Sequence, residues 1–247
     1  MSAQAKSITN EMHLSVWESS LKRLCRLGGA SALILLAYSL ATMLLLVVFG
    51  DQPQTAQAGF AMLQSNRLVG FLRLDGLTIL VMPLYYLLFY CIYITLRQTG
   101  GAFAGLGSLL VFAGLTLFLA TPSAFSWLAL YNKFALATDP SQKTRLLAAG
   151  EAILASDLWH GSGAMVGGIL LQTGALVTSM VMLGSKDFGK LTAWLGVGMF
   201  GLDLAHLLVG FFFPTGGFIL MAVAGTLYLA WFPLLARDFF RQAKKSS

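Results

Sequence analysis

Charge is scarce in this chain. Lys, Arg, Asp and Glu make up 11% of its 247 residues, against about 25% in an ordinary water-soluble domain. So little charge cannot cover a globular surface facing water, which excludes a soluble α/β enzyme. Cysteine is rarer still. Cys25 precedes the first apolar run and Cys91 lies inside the second, so no disulfide framework is expected and both read as small apolar residues. Only three histidines occur, and no HExxH, HxxxH or CxxC pair is present. No lysine falls within an apolar run, which excludes a retinal Schiff base. The net charge of +6 is carried by residues flanking those runs rather than by a basic domain, so nucleic acid is not expected as a partner.

Hydrophobic residues are what the chain has in excess. They make up 57% of it, its mean hydropathy is +0.76, and they fall in runs near the roughly 20 residues that cross hydrocarbon. The runs cover about 27–49, 75–96, 102–121, 158–183, 191–213 and 218–236. The fold class expected is therefore all-α: a polytopic membrane bundle of about six transmembrane helices over residues 27–236. Residues 1–26, with Leu14, Trp17, Leu21 and Leu24 at helical spacing beside Lys22, Arg23 and Arg26, predict a cytoplasmic segment with an amphipathic interfacial helix. Residues 237–247 read as a basic cytoplasmic tail. Pro83 predicts a kink in the second span and Pro122 a break after the third. Asp139-Pro140 predicts a helix N-cap, and 214–217 a tight turn.

Six spans place eleven of the 16 basic residues on one side. They include Lys22, Arg97, Lys186, Lys190 and Arg241. Arg67, Arg73, Lys133, Lys143 and Arg145 fall on the other. The bias puts both termini in the cytoplasm. Gly163/Gly167 and Gly101/Gly105 form GxxxG pairs, the spacing that lets helices approach closely, and make a homo-oligomer one expectation. Membrane lipid is the other partner.

Charge inside a span costs about 2.5 kcal/mol or more on insertion scales, so each instance calls for an explanation. Asp203 and His206 stand three residues apart in the fifth span, on one helical face. Either they form a buried hydrogen-bonded pair, or they contact a proton, ion or ligand. His160, Asp75, Arg73 and Glu151 gather towards the same outer side in the six-span topology, with Asp157 beside them. Together they suggest an outward-facing polar cavity closed by Asp203 and His206. Binding, transport or sensing of a small molecule or ion is expected ahead of catalysis, with no cofactor. The alternative is a metal-dependent intramembrane hydrolase holding zinc with His160, Asp203 and His206, because catalytic zinc takes three protein ligands.

The stretches Leu147-Ala148-Ala149-Gly150-Glu151-Ala152 and Met182-Leu183-Gly184-Ser185-Lys186, after a charged pre-helix, resemble an uncharacterised bacterial family. It comprises small six-helix integral membrane proteins, defined by a domain of unknown function. The resemblance implies a six-helix fold in a bacterial inner membrane and assigns no catalytic residue.

Overall fold

The computed structural model describes residues 3–50, 52–121, 124–158 and 160–245, with side chains from residue 19 onward. All regular structure described is helical. The elements are α1 (Ala3–Phe49), α2 (Ala56–Ser65), α3 (Arg67–Phe71), a π-helical turn (Leu72–Gly76), α4 (Leu77–Val81), α5 (Leu84–Leu119), α6 (Ala124–Leu136), α7 (Pro140–Leu154), α8 (Ser162–Gly184), α9 (Lys190–Gly210) and α10 (Pro214–Lys245).

Five helical stretches among the described residues are long and apolar enough to cross a membrane: Ser19–Phe49, Arg67–Leu136, Ser162–Gly184, Lys190–Gly210 and Pro214–Lys245. The second is 70 residues long. As one straight helix it would reach about 105 Å, over three times the hydrocarbon thickness. Instead it folds back. α5 breaks at Gly100 (φ −157°, ψ 51°), and its limbs, 84–99 and 101–119, run antiparallel. The Tyr86 hydroxyl meets Thr116 Oγ1 at 2.6 Å and its ring meets Phe112 at 5.4 Å. A Cβ on Gly105 would lie 3.5 Å from the Tyr93 ring. Tyr86 and Tyr93 thus pack within this hairpin, while Tyr90 is exposed.

The long helices close a ring: α5 packs on α8, α8 on α9, α9 on α10, α10 on α1, and α1 on α5. Leu88, Phe89, Ile92, Phe200, Trp231 and Phe232 are buried inside it. Its tightest seam joins the second limb of α5 to α8. A Cβ on Gly114 would stand 2.4 Å from the Gly167 carbonyl oxygen, and one on Gly174 2.4 Å from that of Gly107. Spacings of seven on both helices repeat the glycines on one face, so backbone meets backbone. Gly167 packs on Gly114, and Gly163 faces Thr121, so this GxxxG face is covered within the chain.

At the end opposite the basic loops, α2, α3, α6, α7 and the π-turn pack into a cap with its own small core of Phe60, Leu63, Leu74, Ala124 and Trp127. Residues 124–136 form α6 of this cap. Asp139 caps α7 as expected, accepting the Ser141 N–H at 3.1 Å with Pro140 at the first helical position. Pro83 separates α4 from α5, as the predicted kink requires.

Three boundaries move. α1 continues unbroken through residue 26, so the N-terminal segment is no separate helix. The placement expected of Leu14 and Trp17 lies outside the described side chains, and the break at Pro122 lies outside the described residues. α10 begins at Pro214 and runs to Lys245, so 214–217 is its first turn and 237–245 its last turns. Proline is at home at the first helical position because its missing N–H has no helical partner there.

Candidate functional site

α9 turns Thr192, Gly196, Met199 and Asp203 inward at successive intervals of three and four, the spacing of one helical face. Asp203 is the charged member at mid-span. Its Oδ2 accepts a hydrogen bond from the Tyr228 hydroxyl of α10 at 2.6 Å and another from Gln172 Nε2 of α8 at 3.3 Å. Three helices therefore converge on one carboxylate. Towards the basic end an aromatic layer closes the bundle: Phe200 lies edge-on to Tyr228 at 6.0 Å and to Trp231 at 5.2 Å, and Tyr228 contacts Phe232 at 5.7 Å.

His206 is not the hydrogen-bond partner of Asp203. Its Nδ1 lies 3.1 Å from the Gly217 carbonyl, where Gly210 and Gly217 let α9 and α10 approach so closely that a Cβ on Gly217 would stand 2.5 Å from Gly210 Cα. His206 is near enough to act on Asp203 through space, but the two side chains are held by different groups. Among the described residues no salt bridge neutralises Asp203. Gln172 Oε1 is buried without a hydrogen-bond partner there. Buried polar atoms are normally paired, so this acceptor beside the carboxylate stands out.

The other predicted residues divide into two sets. Asp75 and His160 line one small pocket at the capped end of the bundle with Gln52, Leu74, Trp127 and Asp157. Within it His160 Nδ1 and backbone N–H lie 2.9 and 3.1 Å from Asp157 Oδ1. Asp75 sits at φ 66° in the π-turn, a left-handed conformation that Asp tolerates better than most residues. Arg73 instead donates to the Gly50 carbonyl at 3.2 Å with its guanidinium over the Phe49 ring. Glu151 accepts the Ala56 N–H at 2.7 Å, putting a carboxylate on the positive N-terminus of α2. Glu151 thus ties α7 to α2 within the cap, and Arg73 ties the cap to the end of α1.

The proposed zinc set is not brought together. His160 faces Asp157, Asp203 faces Tyr228 and Gln172, and His206 faces Gly217. No group of three or more His, Cys, Asp or Glu positioned to hold a metal ion occurs among the described residues.

Sequence reasoning missed the most completely satisfied carboxylate. Asp238 of α10 is 0% exposed. Its Oδ2 accepts the Gly189 N–H at 2.8 Å and the Thr192 hydroxyl at 2.6 Å, while Arg237 and Arg241 reach Oδ1 at 3.4 and 3.3 Å. Gly189 is the N-cap of α9 and has no side chain to cap with. Asp238 binds the N–H of this N-cap residue from the neighbouring helix, the bond that an N3 side chain makes in a capping box. An acid inside a basic segment was the available signal for it. Gln172 and Tyr228, polar groups in apolar spans, were the signals for the partners of Asp203.

In comparisons with protein-family models, curated proteins and solved structures, nothing matches this chain.

Proposed function

We propose that this is a six-crossing protein of a bacterial inner membrane, of the six-helix family its sequence resembles, that binds a small ligand or ion and transports or senses it. Asp203 is the group that takes up the proton or cation. On this reading the two limbs of α5 supply two crossings, and the eleven basic residues gathered on one side by that count favour cytoplasmic termini. The observation that carries the functional reading is a mid-span carboxylate with two neutral hydrogen-bond donors and no salt bridge among the described residues. A charge in that position is costly unless something neutralises it. A proton or cation arriving at Asp203 does so, and the unpartnered Gln172 Oε1 offers a second oxygen to the same guest. The aromatic layer lies on the basic side of Asp203, so the guest enters from the outer side.

Dicyclohexylcarbodiimide, an apolar reagent for protonated carboxyls, tests this. In lipid vesicles at mildly acidic pH the adduct should form at Asp203, be absent in Asp203→Asn, and form more slowly when sodium or potassium is added or the pH is raised. An Asp203 that stays unmodified while the outer carboxyls react would refute the reading.

A further inference from the structure

We propose that the basic end of the bundle holds the headgroup of an anionic phospholipid in the groove between α1 and α10. This groove, of about 350 Å³, is lined by Arg26, Phe240, Ala243 and Lys244. Its floor depends on a glycine. A Cβ on Gly29 would stand 2.8 Å from the Phe240 ring, so only a bare backbone at that position lets the ring lie against α1. Arg26, three residues earlier on the same helix, and Lys244, one turn beyond Phe240, then stand at the two walls.

These cations are not committed elsewhere. Arg237 and Arg241 reach Asp238, whereas Arg26 and Lys244 carry no salt bridge among the described residues and both are exposed. A guanidinium and an ammonium facing one groove match a phosphodiester, which the planar fork of Arg binds through two parallel hydrogen bonds. The occupant is a lipid rather than a free anion because of what lies next to the groove. α1 leaves it with Leu27, Leu33 and Ile34 exposed at 50%, 44% and 49%, an apolar track along which acyl chains can lie while the phosphate stays with Arg26 and Lys244. The groove also lies at the level where the bundle meets water: Gln242, beside it on α10, donates to the Asp187 carbonyl of the α8–α9 loop at 2.9 Å.

The test is native mass spectrometry of the full chain in micelles doped with phosphatidylglycerol or with phosphatidylcholine of the same acyl chains. Phosphatidylglycerol should be retained preferentially. Arg26→Gln and Lys244→Gln should each weaken its retention about fivefold, the loss of one direct contact to the phosphate, and the double variant about 25-fold. Arg23→Gln removes the same charge from the same helix outside the groove and should leave retention unchanged. Inorganic phosphate at millimolar concentration should not displace the lipid. Equal retention of the two lipids, displacement by phosphate, or an Arg23→Gln loss as large as that of Arg26→Gln would each overturn the site. The substituted residues are exposed, and circular dichroism with size-exclusion chromatography verifies that every variant compared is folded.

Discussion

Asp238 and Asp203 are buried on the same α9–α10 seam, and they are held in opposite ways. Asp238 has a backbone N–H, a hydroxyl and two guanidinium groups. Asp203 has a phenol and an amide. The first arrangement satisfies a permanent anion and locks the start of α9 to the end of α10, so its role is structural. The second leaves the charge without a salt bridge, the state that the proposed proton or cation would relieve. Burial alone does not distinguish a structural carboxylate from a functional one. The company it keeps does.

The sharpest way to break this contrast is to remove both carboxylates in turn. Asp238→Ala should cost about 3 kcal/mol, because it leaves the Gly189 N–H and the Thr192 hydroxyl without their charged acceptor. The exposed arginines contribute little to that figure, since water screens them. Unfolding in mixed micelles measures it, and a loss below about 1 kcal/mol would mean that Asp238 does not hold the seam. Asp203→Asn should change stability by less than about 1 kcal/mol, because the amide can still accept from Tyr228, yet it should abolish carbodiimide modification. A large destabilisation would move Asp203 into the structural class.

Double-mutant cycles refine the picture further. The direct bond predicts a coupling of about 1 kcal/mol between Asp203→Ala and Tyr228→Phe, against less than about 0.5 kcal/mol between Asp203→Ala and His206→Ala. The reverse ranking would restore the Asp203–His206 pair as the centre of the site. The smallest effect belongs to Asp139, the exposed carboxylate of the cap. Hydrogen bonds from the Ser141 side chain and backbone hold it below its ordinary value of 3.8. A carboxyl lowered on folding stabilises above its unfolded value, and that contribution is lost as pH falls through the lower folded one. First-turn amides of α7 should therefore exchange faster below about pH 4, after correction for intrinsic rates. An unchanged protection factor would mean that the Asp139 cap does not hold this turn.

The spans were legible in the sequence because their apolar runs have the length hydrocarbon demands, and α8 and α9 begin and end within a few residues of expectation. Asp139 was legible because its cap is local. The partners of Asp203 and Asp238 were not, since each bond crosses between helices. In a soluble helix an apolar stripe marks the inward face. Here lipid makes the outward face apolar as well: Leu33, Leu40 and Leu44 are exposed on the same helix that buries Leu35. The rotation of each helix, which decides that Asp203 meets Tyr228 and Gln172, is therefore only weakly encoded. Pro214 was misread because proline opens a helix as readily as it ends one.

The contact that closes the ring also imposes a waiting time during biosynthesis. Cys25 of α1 and Gln242 of α10 lie 217 residues apart, and at about 5–20 residues per second a ribosome needs roughly 10–40 s to make the intervening chain. Until α10 emerges, the Gly29 face of α1 lacks the Phe240 ring that finally covers it. Assembly of this bundle is therefore paced by translation, and its first helix stays open to lipid until its last is made.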